Sequence, residues 1–436
     1  MNRDPRPPRA AAPRASLDAL KLDRLRGLLR AVLPSNAFYA SKFAGLANPA
    51  GIRSLDDLAD WPFTYKDELV EAAGTHGRPA NLTWDATRYV RYHQTSGTHG
   101  SPLPVWDTAD DWAWWMDCWR LILDRGGVTK NDRVVVASSF GPYVGFWSAF
   151  DAVVARGALA VPAGGLTSLA RLDVMRRTAA TVLVATPSYA LHLAEVAADA
   201  KIDLSALGVR LVIVAGEPGG SVPATRSRIA SAWDAEVLDH AGATEVGPWG
   251  VGDVRGDGLD VIEEWFHPEF LSLATGGPAK PEELAELVLT TLGRSGCPMV
   301  RYRTGDVVRP SWATPADVAA GACAWVRLDG GILGRTDDML VIRGVNVFPQ
   351  AIDEIVRSFP EVVEHRLTAT TSESLDELSL EVEDRLGEPA RVACELRNRL
   401  GLRIDVRTVP IGSLPRFEGK GRRFVDRRAG TKRSDL

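Results

Sequence analysis

Short apolar runs alternate with longer amphipathic stretches between residues 133 and 215. The apolar runs have the length of buried strands, and the stretches between them have the spacing of helices. The runs are RVVVASS, ALAVPAGG, TVLVATP and VRLVIVAGE. Alternation of this kind predicts a parallel sheet covered by helices, which binds ligands at the carboxyl ends of its strands. Turns rich in Gly, Pro and Ser follow the strands at residues 138–142, 162–167, 186–189 and 216–220.

The two ends of the chain differ from this middle part. Residues 1–16 are rich in Pro, Ala and Arg and predict a disordered tail. Leucine spacing then predicts a helical region from about Ser16, as N-cap, to Phe43. After Gly334 the pattern predicts a compact α+β module. We therefore expect an α/β protein with a large N-terminal domain of mostly parallel, helix-covered sheets at 17–335 and a small α+β C-terminal domain at 336–436.

Composition and charge narrow the class of protein. The chain has 436 residues, of which 45% are hydrophobic, enough for a large core in two or three domains. Its net charge of −5 argues against a dedicated nucleic-acid binder. Four scattered cysteines without a CxxC pair argue against a disulfide framework and fit a reducing cytoplasm. We see no signal peptide and no run of about 18 apolar residues that would span a membrane.

A loop of small residues follows the strand-like segment that ends near His93. It reads Gln94-Thr95-Ser96-Gly97-Thr98-His99-Gly100-Ser101-Pro102. Small residues allow backbone N–H groups and hydroxyls to converge on phosphate oxygens. It is not a Walker A loop, because no Gly-Lys-[Ser/Thr] closes it. Taken alone, the segment fits a phosphate loop and an ordinary surface turn equally well.

Three further segments place charged side chains next to tight turns. Glu245 follows Ala241-Gly242-Ala243-Thr244, where a carboxylate suits Mg²⁺ on ATP phosphates. Asp306 ends RYRTGD and is suited to accept hydrogen bonds from ribose hydroxyls, and Lys420 ends LPRFEGK. Each has a structural alternative: the two acids as helix caps or solvated turns, and the lysine as one cation of a basic C-terminus.

Together, the order and spacing of these motifs resemble the AMP-forming adenylating superfamily of acyl-CoA synthetases. Within it, they resemble the phenylacetate–CoA ligase branch. The resemblance runs from about Leu20 to Arg428 and includes the loop at 93–102, PAGGLT, TPSY, GEP and RYRTGD. It is most specific in GRTDDMLVIRGVNVFP at 334–349 and in LPRFEGK.

The resemblance implies a role for each matching residue. Thr95, Ser96, Gly97, Thr98 and Gly100 would surround the ATP phosphates, and Gly216, Glu217 and Pro218 would line the adenine pocket. Thr244 would lie near the α-phosphate, Glu245 would bind Mg²⁺ and Asp306 would bind the ribose. Lys420 would contact the α-phosphate and the acyl carboxylate. Arg335 would lie at the interdomain hinge beside the pivot Asp337, and the loop containing Arg343 and Gly344 would face the site during thiol transfer.

The resemblance also implies a reaction. A carboxylic acid would attack the α-phosphate of ATP, and coenzyme A would then displace AMP from the acyl-adenylate, with Mg²⁺ and Lys420 neutralising charge. The C-terminal domain would be mobile, because Lys420 and the thiol cannot occupy one site together. Another acceptor remains open, either a carrier protein or AMP transfer as in coenzyme F390 synthetases, as does a degenerate nucleotide-binding protein. A homodimer is one option for the oligomeric state.

The sequence departs from the family pattern at three places. Ser101 stands where the family usually has a lysine, and Ala241 where an aromatic residue commonly stacks on adenine. His240 and Tyr189 are candidates to replace that aromatic ring. The branch can have a cysteine-rich zinc site, but here only Cys297 and Cys323 lie in that region, with His267 upstream, so we expect no zinc.

The acyl pocket is the least specific part of the sequence. Phe140 and Tyr143 fall where the family builds its aryl-binding wall, and Ala241 and Gly242 would complete the substrate site. Core packing at the start of a helix explains the two aromatic residues equally well. Trp112, Trp115 and Trp119 share one helix face and read as core or subunit interface, with pocket lining as the alternative. Of the histidines, His93 and His240 border the expected site.

Overall fold

The structure is a computed structural model that describes residues 13–73, 77–95, 101–137, 140–256, 258–342, 345–372, 375–416 and 423–428. Within these residues the helices are α1 Arg14–Val32, α2 Ala37–Lys42, α3 Lys66–Ala73, α4 Ala109–Arg125, α5 Val144–Arg156, α6 Ser168–Thr178, α7 Pro187–Asp199, α8 Pro223–Trp233, α9 Pro315–Ala319, α10 Pro349–Arg357 and α11 Pro389–Leu400. The strands are β1 Tyr89–Gln94, β2 Pro104–Thr108, β3 Arg133–Val136, β4 Leu159–Pro162, β5 Val182–Ala185, β6 Leu211–Ala215, β7 Glu236–Ala243, β8 Gly247–Gly252, β9 Leu259–Val261, β10 Phe266–Ser272, β11 Ala285–Thr291, β12 Tyr302–Val308, β13 Pro310–Ser311, β14 Arg327–Leu328, β15 Gly334–Arg335, β16 Leu340–Ile342, β17 Val345–Val347, β18 Val362–Ser372, β19 Leu375–Asp384, β20 Asp405–Thr408 and β21 Phe424–Asp426. None of the described helices is both long enough and apolar enough to cross a membrane.

The largest sheet has nine strands in the order β13-β14-β9-β8-β7-β6-β5-β3-β4. From β4 to β7 all neighbouring strands are parallel, which confirms the parallel sheet predicted for this part of the chain. The remaining strands are antiparallel, because the tight turn after β7 returns the chain directly alongside it as β8. The parallel arrangement therefore applies to five of the nine strands.

Helices cover both faces of the parallel strands. Successive strand residues point to opposite faces, so Val134 packs in one hydrophobic core with α4 and α5, and Val135 packs in a second core with α6, α7 and α8. Trp112, Trp115 and Trp119 of α4 are at most 8% exposed and lie in the first core. This confirms the core alternative for the three tryptophans.

The predicted helical region extends from Arg14 to Lys42, close to the predicted bounds, but its predicted N-cap is wrong and it is divided into two helices. Helix α1 begins at Arg14 after Pro13, so Ser16 is not its N-cap and residues 14–16 are helical rather than part of a tail. The first turn is held by Arg14, whose guanidinium lies 2.6 Å from the buried Glu263 carboxylate. The helix ends at Val32, and α2 starts after Asn36, whose side chain caps it by accepting from the Tyr39 N–H.

A second, antiparallel sheet leads to the C-terminal part of the chain. Its order is β10-β11-β12-β15, and β15 ends at Arg335. The elements after it form the β16–β17 hairpin and a four-stranded sheet, β20-β19-β18-β21, packed with α10 and α11. These elements share a separate hydrophobic core that extends from Leu340 to Ile404. Architecture of this kind agrees with the predicted small α+β unit.

Candidate active site

Several predicted site residues lie at the carboxyl ends of β6 and β7, where the chain leaves the large sheet. Ala215 of β6 pairs with His240 of β7, so the residues that follow each of them lie side by side. Gly216 has a φ of +94°, in the left-handed region that favours glycine, and it turns the chain sharply out of the sheet. Gly216 and Pro218 are exposed and Glu217 is half-buried. On the β7 side, Ala241 is buried and Gly242 is exposed.

Glu245 lies in the turn between β7 and β8 and is only 7% exposed. Its Oε1 accepts a hydrogen bond from the Tyr302 hydroxyl at 2.9 Å, and the Lys66 ammonium lies 3.9 Å from the same oxygen. Burial and the charge of Glu245 raise the pKa of Tyr302 well above its usual range, so the phenol remains protonated and donates. A carboxylate oriented in this way is suited to bind a cation. The neighbouring Thr244 is half-buried.

The buried side chain of Arg294 supports the turn that contains Glu245. Arg294 Nη1 donates to the Glu245 carbonyl oxygen at 2.7 Å, and its Nε donates to Asp107 at 2.8 Å. The side chains of Arg294 and Asp107 are fully buried. His93 lies beside them, stacked on Trp112 with its Nδ1 3.9 Å from Asp107. Thus His93 is packed beneath the site, and Arg294 fixes the backbone at Glu245.

The predicted phosphate loop connects β1 and β2. Thr95 is buried, and its N–H donates to the Leu103 carbonyl at 3.0 Å while its hydroxyl accepts from the Leu103 N–H at 2.9 Å. These two bonds close the base of the loop. Ser96, Gly97, Thr98 and Gly100 lie outside the described residues. Ser101 is exposed at the end of the loop.

Asp306 and Arg335 are brought together by the pairing of β12 with β15. Arg335 Nη1 lies 3.3 Å from Asp306 Oδ1, and its Nε donates to Asp337 at 2.9 Å. Although burial opposes the charge, Asp306 and Asp337 raise the pKa of Arg335. The guanidinium therefore joins the predicted ribose carboxylate to the predicted pivot at the last strand of the large domain.

His240 and Tyr189 are the candidates for the adenine-stacking ring that Ala241 does not provide, and both are packed against other side chains. His240 packs edge-on against Trp119 with a centroid separation of 4.6 Å, and its Nδ1 is 2.8 Å from the Gly250 carbonyl. Tyr189 is 1% exposed and hydrogen-bonds Arg171 through its hydroxyl. Both rings are part of the core, so the suggestion that they stack on adenine is wrong for this arrangement.

The carboxyl end of β7 also contains two titratable groups whose pKa values are shifted in opposite directions. Burial raises the pKa of Asp239 to about 6, although hydrogen bonds from Ser221 and from the His240 N–H favour the charged form. Burial lowers the pKa of His240 to about 4. At neutral pH the carboxylate is therefore charged and the imidazole is neutral.

The aromatic residues predicted for the acyl pocket lie after β3. Phe140 is half-buried and packs edge-on against Trp147 and Phe150 at centroid separations of 4.9 and 5.7 Å. Tyr143, immediately before α5, is 46% exposed. Phe140 thus packs at a helix start, as the structural alternative expected, and it also lies at the carboxyl end of β3, where the sequence predicts ligand binding.

Some expected residues are outside the described part of the chain. These are Lys420, Arg343 and Gly344, whose roles remain predictions. Among the described residues no group of three or more His, Cys, Asp or Glu side chains is arranged to hold a metal ion. A single buried carboxylate such as Glu245 nevertheless fits Mg²⁺, which typically takes one or two carboxylates together with substrate phosphates.

Sequence reasoning missed three side chains that act on Glu245. Lys66 begins α3, far from the motifs along the chain, and Arg294 lies before RYRTGD without a motif of its own. Tyr302 is inside that motif, in which the resemblance assigns a role to Asp306 alone. Its place inside the motif is a sequence signal that could have identified the tyrosine. Lys66 and Arg294 required tertiary contacts.

Comparison with known proteins identifies the class. Residues 29–265 match the model of the AMP-binding enzyme family, and residues 344–428 match the model of the AMP-binding enzyme C-terminal domain. The chain belongs to the AMP-binding enzyme family. It is 32% identical to a phenylacetate–coenzyme A ligase of Pseudomonas putida over 95% of both chains. The predicted family, the α/β class and the reaction class of an AMP-forming acid–CoA ligase are confirmed.

Solved structures add the arrangement of the domains. The structure of 2-hydroxyisobutyryl-CoA ligase in its postadenylation state with 2-HIB-AMP is 27% identical, covers 97% of this chain and 91% of that chain, and superposes with a TM-score of 0.88. The same ligase in its thioesterification state with 2-HIB-AMP and CoA is 28% identical, covers 96% of this chain and 91% of that chain, and gives 0.71. Because coverage is nearly equal, the higher score means that the whole chain superposes better on the first of these two structures.

Proposed function

We propose that this chain activates an aryl carboxylic acid with ATP as an acyl-adenylate and transfers the acyl group to coenzyme A. The observation that supports this most directly is the position of Glu245. Its carboxylate is oriented by Tyr302 and approached by Lys66, at the end of the sheet where the Gly216 turn also emerges. That arrangement suits a nucleotide whose phosphates lie over Glu245 and whose adenine lies along residues 216–218.

In the first step a carboxylate oxygen of the acid attacks the α-phosphorus of ATP. A new P–O bond forms, the bond to the bridging oxygen breaks, and pyrophosphate leaves with the electron pair. We assign Thr95 and its loop to the phosphates, Thr244 and Lys420 to the α-phosphate, and Asp306 to the ribose. Positioning and charge neutralisation provide most of the acceleration in such transfers.

The proposed metal site is the carboxylate of Glu245. Bound there, Mg²⁺ would neutralise charge on the phosphate oxygens. Tyr302 holds one carboxylate oxygen in place, and Arg294 holds the backbone of the turn. Lys66 provides a cation on the same side, which we propose replaces the lysine that the family usually has at the position of Ser101.

In the second step the thiol sulfur of coenzyme A attacks the acyl carbon, the bond to AMP breaks, and the thiol loses its proton. We propose that the C-terminal domain moves about Asp337 between the two steps. Arg335 contacts both Asp306 and Asp337, so this movement would change the contacts that it makes. The loop with Arg343 and Gly344 is assigned to the site in the thiol-transfer arrangement.

An aryl acid is the proposed substrate class. Phe140 and Tyr143 lie at the carboxyl end of β3, on the same edge of the sheet as Gly242, and relatives include a phenylacetate–coenzyme A ligase. Aromatic side chains favour an aromatic acyl group through offset and edge-on contacts. A cytoplasmic location, supported by four scattered cysteines without a CxxC pair, and a homodimer complete the proposal.

The test is acid-dependent pyrophosphate release with ATP and Mg²⁺, measured across aryl and aliphatic acids with and without coenzyme A. We expect release with aryl acids, and AMP and an acyl-CoA when the thiol is present. Lys420→Ala and Glu245→Gln should each reduce release by about 10²–10³. Release without a thioester would assign another acceptor, and no release despite ATP binding by calorimetry would favour a degenerate nucleotide-binding protein.

A further inference from the structure

Arg423 makes a contact between the two domains that the proposed mechanism does not use. Its Nη1 donates to Ser188 Oγ of α7 at 3.1 Å, across the boundary between the small and the large domain. On its own side it pairs bidentately with Glu364 of β18, with Nε to Oε1 at 2.5 Å and Nη2 to Oε2 at 2.9 Å. The guanidinium is only 14% exposed. It is thus fixed by one domain and presented to the other.

The backbone of Arg423 is also fixed to the small domain. Its carbonyl oxygen accepts from the Leu367 N–H at 2.7 Å, directly before β21 joins β18 as a parallel neighbour. A side chain anchored at both backbone and guanidinium loses little further conformational entropy when it binds across an interface. The orientation of the small domain therefore determines directly whether Arg423 reaches Ser188.

Ser188 connects this contact to the nucleotide loop. Its backbone N–H donates to Glu217 Oε1 at 2.7 Å, and Glu217 follows β6 beside the Gly216 turn. The charge of Glu217 is among those that raise the pKa of Arg423, although burial opposes the shift and Glu364 contributes most of it. Arg423 is thus linked through one serine to the loop assigned to adenine.

The contact belongs to one arrangement of the domains. The cavity at this boundary is lined by both domains, including Ser188 and His192 on one side and Glu364 and Arg423 on the other. The present arrangement agrees with the postadenylation structure of 2-hydroxyisobutyryl-CoA ligase at a TM-score of 0.88 and with its thioesterification structure at 0.71. The movement of the small domain that we propose for the second step would carry Arg423 away from Ser188.

We infer that Arg423 is a positioning residue for adenylation: its contact with Ser188 holds the small domain in the present arrangement, which superposes better on the postadenylation structure than on the thioesterification structure, and biases the enzyme toward the first half-reaction. The inference rests on the proposed function for its kinetic consequence. Its structural consequence, the domain arrangement, does not depend on turnover. Loss of the contact shifts the equilibrium between arrangements and leaves the chemistry of thiol transfer intact.

The kinetic test separates the half-reactions. Acid-dependent ATP–pyrophosphate exchange reports adenylation, and thioester formation from added acyl-adenylate and coenzyme A reports the second step. We expect Arg423→Gln and Ser188→Ala each to slow exchange by roughly tenfold, the size of one lost charge-assisted hydrogen bond, with the second step unchanged or faster. Ser188→Ala keeps the backbone bond to Glu217. Arg423→Lys should recover part of the exchange rate.

Arg428→Gln is the matched control. Arg428 lies on the same segment but pairs with Asp376 and Asp426 within the small domain, at 2.9 and 2.7 Å. The Arg428→Gln variant should leave the ratio of the rates of the two half-reactions unchanged. The double variant of Arg423 and Ser188 should be no slower than Arg423→Gln alone, because both changes remove one contact. Equal losses in both half-reactions, or additive losses in the double variant, would overturn the inference.

A distance measurement tests the effect of Arg423 on the domain arrangement without catalytic turnover. Cys394 is exposed on α11 and the other cysteines are buried, so a spin label at Cys394 pairs with one at an introduced Asp199→Cys on α7. In the substrate-free protein we expect Arg423→Gln and Ser188→Ala to reduce the population with the distance of this structure, and Arg428→Gln to leave it. Unchanged distance distributions would contradict the inference even if no acid is turned over. A shifted distribution in an inactive protein would instead reject the proposed function alone.

Discussion

At the scale of single residues, the environment of Glu245 determines what this turn can do. A carboxylate buried to 7% exposure is stable as an anion only when donors or cations surround it, and here Tyr302 donates while Lys66 lies 3.9 Å away. These two side chains come from distant parts of the chain. The Thr64 backbone joins them, because it bonds to both Arg301 and Arg303 on either side of Tyr302.

Lys66 is expected to act on the phosphates. Lys66→Met should slow adenylation by roughly tenfold and raise the ATP concentration needed for half-maximal rate, because one cation is lost near the triphosphate. Lys66→Arg should keep most of the rate. Pyrophosphate release measures both, with the exposed Lys201→Met as control. Equal rates for Lys66→Met and the unchanged protein would remove Lys66 from the site.

Asp239 gives a pH dependence of stability. Its folded-state pKa of about 6 lies above the ordinary value of 3.8, so its contribution to stability is full below pH 3.8 and is lost as the pH rises to 6. The free energy of unfolding of Asp239→Asn, relative to that of the unchanged protein, should therefore increase by roughly 3 kcal/mol between pH 4 and pH 6, and no further above pH 7. Urea unfolding at several pH values measures the difference.

His240 has the opposite effect in the same range. With a folded-state pKa of about 4, its contribution is present above pH 6.5 and is lost as the pH falls toward 4. This effect occurs in both proteins and cancels in the difference between them. Asp199→Asn at an exposed position is the control. A difference for Asp239→Asn that does not vary with pH would contradict the assigned shift.

At the scale of elements, α1 is held to the large domain by a buried charge pair. Lys21 Nζ lies 2.5 Å from Glu263 Oε2, and both side chains are 0% exposed. Glu263 also accepts from Arg14 and from the Val326 N–H. An amphipathic pattern shows that α1 has a buried face, but tertiary contacts such as this pair and the packing of Leu25 and Leu29 determine which surface that face covers.

Removal of the lysine should be costly. Lys21→Met leaves the Glu263 carboxylate buried with fewer partners, which typically destabilises a protein by about 3–5 kcal/mol. The retained Arg14 contact places our expectation near the lower value. Urea unfolding measures the loss, and Lys130→Met at an exposed position should change stability by less than about 0.5 kcal/mol. A loss as small as that of the control would show that the pair adds nothing.

At the scale of the whole molecule, two domains with separate cores meet where the nucleotide is expected. The second sheet ends at Arg335 and the C-terminal core begins at Leu340, so we expect the domain boundary between these two residues. Arg335 joins Asp306 to Asp337 across it. A residue pivoting at this place must change its backbone angles between the two half-reactions.

Asp337→Pro tests that motion. Proline fixes φ near −65°, so the variant should adenylate at a rate similar to the unchanged protein but form thioester at least tenfold more slowly. Asp337→Ala removes the same contact to Arg335 and leaves the backbone free, which makes it the matched control. Separate assays of pyrophosphate exchange and of thioester formation give the comparison. Equal losses in both half-reactions for the proline variant would place the pivot elsewhere.

Much of the fold and of the site was predictable because it depends on local pattern. Buried strands and helices of the right length predicted the parallel strands β3 to β6, and the order of GEP, RYRTGD and the C-terminal motifs indicated the family without any tertiary contact. The start of α1 at Arg14 was not predictable from local pattern, since a contact with the distant Glu263 holds its first turn.

The sequence by itself determined the class of protein, its reaction and the residue types at the ends of the strands, because these follow from motifs that are contiguous in the chain. Tertiary structure alone decided which side chains surround them. Lys66 and Tyr302 meet at Glu245, His240 and Tyr189 are committed to the core, and Arg423 reaches Ser188. Such contacts join residues far apart in sequence, and their energies depend on burial and distance, which no local pattern contains.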